Sequence, residues 1–448
     1  MDIQDTIVAL VTPWVSSGVA IIRVSGPRVP EYITQWLGRR TPRPRFFYKS
    51  PFTVRHHVID EGLWVYFKAP HSYTGEDILE LYPHGSLVVV QHIINELVHM
   101  GCRLAREGEF TQRAFMAGKM DLTQAEAVRE LVDSVSWQGA LAACQSLRGA
   151  VSERCYALEA RLSNLRAQAE GYLDFSDSDM DPEDFLDTHN ALHEWLKDAR
   201  LFCQQATQSA RSSQKITVAI LGLPNAGKSS LMNTLTHTDT SIVSDIAGTT
   251  RDIVRQDVVW GSQRVHLLDT AGIRETDCAI EKSGIERIEK NLSHTQLILW
   301  VVDASEDAYE DALESASIWL SRIPLAIPVI FVLNKSDKIR RHTEEKWGER
   351  PVVSVSCYTR EGIDNMISVS LNVLGSGISS APFYASFRQV KAIEDAISFV
   401  EKAFLYKNID ECYAHELLQA HRCCMQILGF YNTEDLLGNI FSQFCIGK

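Results

Sequence analysis

Long apolar runs are missing from this sequence. None approaches the ~20 residues that a bilayer-spanning helix needs, so no stable membrane insertion is expected. The N-terminus, Met-Asp-Ile-Gln-Asp, lacks the basic segment of a secretory signal, which makes the cytoplasm the expected compartment. No Cys-x-x-Cys pair occurs among the ten cysteines, which argues for reduced thiols over a disulfide framework or a zinc site. Positive charge is also short. With 44 Lys and Arg against 57 Asp and Glu, the net charge of −13 is wrong for a general nucleic-acid binder, although a small local RNA contact remains open. The acidic run at 175–187 lacks the Asp-x-Asp-x-Asp-Gly pattern of a calcium hand and reads as a solvated turn. His189 and His193 lack the Glu of a His-Glu-x-x-His site and read as surface histidines. The 448 residues suffice for about three domains, each with its own core.

What is present is organised around residues 215–230, Lys-Ile-Thr-Val-Ala-Ile-Leu-Gly-Leu-Pro-Asn-Ala-Gly-Lys-Ser-Ser. The first half, with β-branched Ile216, Val218 and Ile220, reads as a buried parallel strand. It breaks at Gly222 into a Gly-x-x-x-x-Gly-Lys-Ser loop. Gly222 and Gly227 permit torsions that aim successive N–H groups into one concavity, where phosphate oxygens bind. Asn225, Ala226, Gly227, Lys228, Ser229 and Ser230 are the candidate phosphate contacts. Lys228 brings a point charge for the β- and γ-phosphates, and Ser229 a hydroxyl for magnesium. The helix that follows offers its positive end to the same anion.

The next segments name the base. Strand 265–268 ends in Asp269-Thr-Ala-Gly272, where Asp269 can reach magnesium through water and the Gly272 N–H can meet the γ-phosphate. Strand 329–333 ends in Asn334-Lys335-Ser336-Asp337. The Asp337 carboxylate can accept hydrogen bonds from guanine N1–H and its 2-amino group, and adenine offers neither. Strand 352–356 delivers Ser356 and Cys357 as a place for backbone contacts to the guanine oxygen. Strands alternating with helices imply a doubly wound parallel sheet, so a Ras-like P-loop GTPase domain is expected. Residues 244–252 read as switch I, with Ser244, Thr249 and Thr250 as nucleotide contacts and Thr250 as a second magnesium ligand. Ile273 stands where many GTPases carry the glutamine that orients water, so hydrolysis needs another group. Asn225 is either a monovalent-cation ligand beside the phosphates or a loop-stabilising amide.

Residues 1–117 hold short β-type runs (6–11, 18–24, 52–59, 62–67 and 78–81) and one helix-patterned segment, 87–100, as in an α+β domain. Arg23, Glu80 and His84 sit in or beside apolar runs and read first as paired structural groups. Arg39, Arg40, Arg43 and Arg45 precede Phe46, Phe47 and Tyr48, which suits RNA by charge and stacking or a solvated surface loop. Helical spacing dominates from 119 to about 206 and again over 387–430, with linkers at 204–214 and 375–380. Helix before, α/β module inside and helix after imply an insertion into a discontinuous helical bundle. The expected domains are 1–117, 118–210 (first helical part), 211–375 (GTPase) and 376–448 (second helical part).

With these residues in view, the chain resembles the MnmE (TrmE) family of bacterial tRNA-modification GTPases nearly end to end. The likeness runs through Asp5-Thr-Ile-Val-Ala, Ile22-Arg-Val-Ser-Gly and Ser72-Tyr-Thr-Gly-Glu-Asp-Ile-Leu-Glu80. It continues through Gly108-Glu-Phe-Thr-x-Arg-Ala-Phe, Lys119-Met-Asp-Leu-Thr-Gln-Ala-Glu-Ala and Asp245-Ile-Ala-Gly-Thr-Thr-Arg-Asp. It closes on Asp435-Leu-Leu-Gly-x-Ile-Phe-Ser-x-Phe-Cys-Ile-Gly-Lys448. The final Cys-Ile-Gly-Lys weighs most, on the expectation that no fold requirement asks for it.

The resemblance implies an N-terminal domain that dimerises and binds 5-formyltetrahydrofolate or a related folate. Arg23, Glu80, Lys119 and Lys448 fall on its folate positions, and Cys445 is either active in one-carbon chemistry or a buried thiol. It implies potassium held by Asn225, Ser244, Ile246 and Thr249, with Glu281 orienting the attacking water and Lys228 assisting catalysis. The GTPase domains of the homodimer would meet when GTP, Mg2+ and K+ are bound. A heterotetramer with the flavoprotein MnmG, which carries FAD, would add an aminomethyl or carboxymethylaminomethyl group to carbon 5 of the tRNA wobble uridine from a tetrahydrofolate one-carbon unit. An Era-like assembly GTPase, switching on RNA or a membrane, is the rival reading, but it has no use for the folate-type domain. Three stretches depart from the family pattern: Trp14-Val-Ser-Ser-Gly18, Leu81-Tyr-Pro-His-Gly-Ser86 and Ser356-Cys-Tyr358.

Overall fold

The structure, a computed structural model, describes residues 5–134, 137–174, 182–212, 216–223, 225–236, 255–261, 263–269, 295–305, 327–338, 346–348, 350–374, 382–406, 410–431 and 434–448. It falls into two compact units. One comprises residues up to Arg129, Cys144–Gln204 and Ala385–Lys448, and the other Glu130–Ala143 and Gln205–Tyr384. Among the described residues no helix is long and apolar enough to cross a membrane.

The first unit opens with β1 (Ile7–Leu10), β2 (Ile22–Ser25), α1 (Val29–Gln35), β3 (Phe47–Val54), β4 (His57–Phe67), β5 (Ile78–Tyr82), α2 (Leu87–His99), β6 (Arg103–Leu104) and α3 (Glu109–Met116). The six strands form one sheet in the order β3-β4-β5-β2-β1-β6, antiparallel except for β1 beside β6. One face packs Val8, Ile22, Trp64 and Leu79 against Tyr32 of α1 and Ile93 of α2. Ile7 and Ala9 point the other way, onto Phe110 of α3. β1 is thus buried on both faces, which its unbroken apolar run anticipates.

Two expected strands are redrawn. The run 52–59 crosses a hairpin turn at Arg55-His56, with φ of 47° and 68°, and 62–67 continues the second arm of that hairpin, β4. Two left-handed residues are what a two-residue hairpin needs to match the strand twist. Asn-Gly is the usual sequence there; Arg-His carries no such signal.

The chain continues through α4 (Leu122–Asp133), α5 (Trp137–Leu147), α6 (Ala150–Asp174) and α7 (Pro182–Ser212). The proline-free stretch 122–173 is therefore three helices, and Gly149, at φ 101°, lies between α5 and α6. α7 runs to Ser212, through most of the polar stretch expected as a linker. His189 is half-buried, not a surface residue: its ring meets Phe404 edge-on at 5.1 Å and stacks on Tyr413 at 6.2 Å. Residues 175–181 of the acidic run lie outside the described residues.

The second unit is built on β7 (Ile216–Gly222), α8 (Lys228–Thr236), β8 (Arg255–Trp260), β9 (Gln263–Asp269), β10 (Leu297–Asp303), β11 (Val329–Asn334), β12 (Lys346–Trp347), β13 (Arg350–Ser354) and α9 (Ile363–Val373). Its seven strands are ordered β12-β13-β11-β10-β7-β9-β8. The inner five are parallel, and the edge strands β8 and β12 are antiparallel to their neighbours. β11 (Val-Ile-Phe-Val-Leu-Asn) is buried throughout, as a parallel strand covered on both faces must be. Strand order reverses between β7 and β10, and an open parallel sheet receives ligands at such a switch point, beyond its carboxyl ends.

The chain returns to the first unit through α10 (Phe387–Ala403), α11 (Glu411–Leu428) and α12 (Glu434–Phe441). The expected helix 387–430 is thus split. Asp410 caps α11 by accepting the Tyr413 N–H at 2.8 Å, and Gly429 ends it at φ 104°. α10 packs on α11, and α11 on α6. Ser386 and Gln389 form a capping box at the start of α10. Beside it, Arg388 donates from Nε and Nη2 to the two carboxylate oxygens of Glu126, at 2.9 and 3.0 Å.

The C-terminal segment corrects one expectation. Gly108, at φ 63°, lies so close to Phe441 that a Cβ would stand 2.7 Å from its carbonyl oxygen. Gly447, at φ 97°, meets β1 so closely that a Cβ would stand 2.4 Å from the Leu10 carbonyl oxygen. Ile446 bridges Glu107, and the Lys448 carbonyl accepts the Phe110 N–H at 3.2 Å. The fold does ask for the glycine of Cys-Ile-Gly-Lys. Cys445 is exposed, which removes the buried-thiol alternative.

A buried carboxylate locks α3 to β6. Glu109, with 3% of its side chain exposed, accepts from Arg103 at 2.6 Å and from Arg113 at 3.1 Å. Burial works to raise its pKa, but the bonds from Arg103, the Arg106 N–H and Arg113 outweigh it and hold the carboxyl at about 2. Because this folded value lies below the ordinary 4.5, the stabilisation is present above pH 4.5 and disappears as pH falls towards 2. It is worth about 3 kcal/mol at neutral pH. Chemical denaturation from pH 6 down to pH 3 should therefore show a steeper loss of stability for the wild type than for Glu109→Gln. Parallel curves for the two proteins would show that Glu109 contributes nothing to acid sensitivity.

Candidate functional site

The candidate site is the rim where β7, β10 and β11 end. Gly222 occupies φ 148°, and a Cβ there would lie 2.2 Å from the Val301 carbonyl of β10. Gly227 occupies φ 92°, and a Cβ there would lie 2.1 Å from Asn334 Nδ2. Neither position accepts a side chain. The loop between them is pressed against β10 on one side and the end of β11 on the other. Asn225 takes φ 64°, tolerated by Asn more than by most residues. Ala226 is buried, whereas Asn225, Ser229 and Ser230 are exposed. Lys228 Nζ donates to the carbonyls of Gly222 and Leu223, both at 2.8 Å, so the ammonium arches over the mouth of the loop.

The second segment is fastened to the first. Asn334 Nδ2 donates to the Ala226 carbonyl at 3.1 Å, and Asn334 Oδ1 accepts the Cys357 N–H at 3.4 Å. One buried amide therefore links the phosphate loop to the segment after β13. Lys335, at φ 64°, reaches the Asn225 carbonyl at 3.4 Å and pairs with Asp303. Burial tends to raise the Asp303 pKa, but Lys335 and the Ser305 hydroxyl and N–H bring it down below the usual carboxylate value. Asp337 follows on a single 3-10 turn, Ser336–Lys338. Its Oδ1 accepts the Ser356 hydroxyl at 2.6 Å, and Ser356 Oγ in turn accepts the Thr359 N–H at 3.1 Å. Ser356 is fully buried, so the carboxylate is aimed by a group that cannot itself swing away.

Of the expected nucleotide contacts, the structure brings together Asn225, Ala226, Gly227, Lys228, Ser229, Ser230, Asn334, Lys335, Asp337 and Ser356 at this rim, and Asp269 ends β9 beside β7. Ser244, Ile246, Thr249, Thr250, Gly272 and Glu281 lie outside the described residues. Asp303 and Ser305 went unnoticed in the sequence. The available signal was an apolar run, Leu297–Asp303, ending in a carboxylate at the carboxyl end of a parallel strand.

In the first unit, Arg23 and Glu80 are cross-strand partners on β2 and β5. Arg23 Nε donates to Glu80 Oε1 at 2.8 Å, and the Tyr82 hydroxyl donates to Oε2 at 2.6 Å. The side chains are 18% and 12% exposed, so the pair is reachable but largely desolvated. The Arg23 guanidinium lies 5.4 Å from the Tyr73 ring centre and 5.6 Å from that of Phe110. His84 pairs with Asp60 at 2.7 Å. The paired structural reading of Arg23, Glu80 and His84 therefore fits. Lys119 Nζ donates to the Pro70 carbonyl at 2.7 Å, and the Lys448 carbonyl bonds Phe110, whose ring faces Arg23.

Removing the Ser356 hydroxyl leaves Asp337 free to rotate. Ser356→Ala should raise the KM for GTP about 5- to 10-fold with little change in kcat, the signature of lost ground-state binding. Steady-state phosphate release reads this directly, and an unchanged KM would mean that Ser356 does not position Asp337.

Family comparisons agree across the chain. Residues 6–119 match the GTP-binding protein TrmE N-terminus, and residues 122–445 match the MnmE helical domain. The tRNA modification GTPase MnmE of Chromobacterium violaceum is 40% identical over 99% of this chain and 98% of its own length. Proteins of the same name from Coxiella burnetii (Dugway) and Legionella pneumophila (Paris) are 38% and 37% identical, each over 99% of both chains. The chain belongs to the MnmE family of tRNA modification GTPases.

Proposed function

We propose that this chain hydrolyses GTP to drive modification of carbon 5 of the tRNA wobble uridine, working with an MnmG-type flavoprotein that carries FAD. The observation that carries the nucleotide part is the fixed carboxylate of Asp337, tied to Ser356 beyond the Asn334 amide that fastens the phosphate loop. A carboxylate held in place accepts two hydrogen bonds from guanine and would stand unpaired against adenine, which penalises ATP. The tRNA part is supported by membership of the family.

Ser229, exposed where α8 begins, suits magnesium with Thr250 as its second protein ligand. Asn225, exposed on the phosphate loop, suits potassium with Ser244, Ile246 and Thr249. A monovalent cation there supplies positive charge next to the phosphates during hydrolysis. Glu281 is assigned the orientation of the attacking water, and Lys228 the charge of the leaving phosphates. Two copies paired through the N-terminal domain complete the assembly.

The N-terminal domain is assigned a reduced folate as one-carbon source. Glu80 spends one lone pair of each oxygen on Arg23 and Tyr82 and keeps others for the N–H groups of a pterin. Arg23, Lys119 and Lys448 suit the glutamyl carboxylates. Exposed Cys445 is a candidate for carbon transfer.

Replacing Asp337 by Asn exchanges a carboxylate for an amide that can donate to a carbonyl. Asp337→Asn should lose about 100-fold or more in kcat/KM for GTP and gain hydrolysis of xanthosine triphosphate, which carries a carbonyl in place of the 2-amino group. In bacteria lacking their own homologue, nucleoside mass spectrometry of tRNA should show C5-modified wobble uridines restored by the wild type and not by the variant. Equal GTP hydrolysis by the two proteins would sink the base assignment. For the folate, calorimetric titration with 5-formyltetrahydrofolate should show binding weakened about 10-fold or more in Glu80→Gln. Identical isotherms would remove Glu80 from that site.

A further inference from the structure

Residues 32–59 contain no Asp or Glu, in a chain where acids outnumber bases, yet hold Arg39, Arg40, Arg43, Arg45, Lys49, Arg55 and two histidines. The fold gathers this segment at one edge of the first unit. It covers the loop after α1, the edge strand β3 and the Arg55-His56 hairpin tip. Among the described residues no carboxylate lies within ion-pair distance of any of these five arginines, and of the six cations only Lys49 has an acidic partner, Glu61.

The loop is built rather than loose. The Arg39 guanidinium lies over the Tyr48 ring at 4.0 Å, and the Tyr48 hydroxyl accepts the Arg43 N–H at 2.8 Å. Arg45, at φ 62°, is held by its N–H to the Tyr66 carbonyl and its guanidinium to the His71 carbonyl. Two large rings stand out from this basic ground: Phe46 is 49% and Phe47 53% exposed. Phe46 leans on Tyr48 with ring centres 5.0 Å apart, so the platform is supported from below.

We propose that this edge is the contact surface for an unpaired RNA loop, its arginines neutralising phosphates and Phe46 stacking on an unstacked base. The inference rests on the reading that the chain acts on tRNA. Single-stranded RNA is held by just this combination of cations and exposed aromatic rings. A second copy of the chain fits worse. A two-fold contact sets the same patch against itself, and here that brings the arginines that flank the edge strand β3 against their own copies.

Fluorescence anisotropy of a labelled anticodon stem-loop, titrated with the full chain over a range of salt, tests this. Arg40→Glu/Arg43→Glu should bind at least about 10-fold more weakly and flatten the dependence of log K on log salt by about 1 to 2. Phe46→Ala should weaken the loop at least about 5-fold and leave binding to a blunt duplex of equal length unchanged. GTP hydrolysis should stay at the wild-type rate in both variants, which separates a lost contact from a lost fold. Wild-type RNA affinity in both variants overturns the proposal. So does a change of oligomeric state by light scattering without a change in RNA affinity, which would assign the edge to a second copy. If the wild type binds no stem-loop but still restores modified uridines in cells, the patch fails and the tRNA reading stands. If it does neither, that reading fails too.

Discussion

The carboxylate of Glu126 is the constraint on which the first unit depends. Arg388 bonds both of its oxygens, Gln389 donates to one, and the Ser386 hydroxyl lies 3.3 Å from each. Glu126 and Arg388 are 262 residues apart in the chain, and the whole of the second unit lies between them, together with Cys144–Gln204 of the first. A buried carboxylate or guanidinium left without its partner costs several kcal/mol, so the two ends of the helical body are required together. Arg388 also donates to the Gln426 and Ile427 carbonyls at the end of α11, which carries the restraint into the next helix. An insertion is tolerated because its entry and exit are closed by chemistry outside it.

The second unit repeats that logic at smaller scale. A carboxylate is useful for recognition only if it points the same way before and after the ligand arrives, and a neighbouring donor supplies the restraint. Ser356 does this for Asp337, and Lys335 with Ser305 does it for Asp303. The Asn334 amide then couples the phosphate loop to the segment after β13, so both are held in one register.

The nucleotide module was the most legible part of the sequence. Gly222 and Gly227 are forced by positive φ and by the close approach of Val301 and Asn334, and its strands by unbroken apolar runs, and both leave a mark in local composition. The helix boundaries were less legible. Gly149 and Asp410 do their work as single residues within otherwise periodic stretches, and a polar tail on α7 looks like a linker until its hydrogen bonds are known. Arg55-His56 shows a turn imposed by the strands that flank it, against local preference. The Arg23–Glu80 pair was visible only as two polar residues in apolar runs; that they face each other follows from the register of β2 on β5, which no short window contains. The same holds for Gly447, whose small size answers to Leu10 at the far end of the sequence.

That contact has a consequence for how the chain is made. Residues 445–448 leave the ribosome after the sheet of the first unit and after the whole nucleotide module, yet Ile446, Gly447 and Lys448 close against Glu107, Leu10 and Phe110. Domains ordinarily fold in the order of their synthesis. Here the sheet of the first unit keeps the rim around β1 and α3 open until the nucleotide module and the helices after it have been made. The stretch that holds Arg23, Glu80 and Phe110 thus takes its final form late, and a nascent chain stalled inside the nucleotide module carries that rim uncovered.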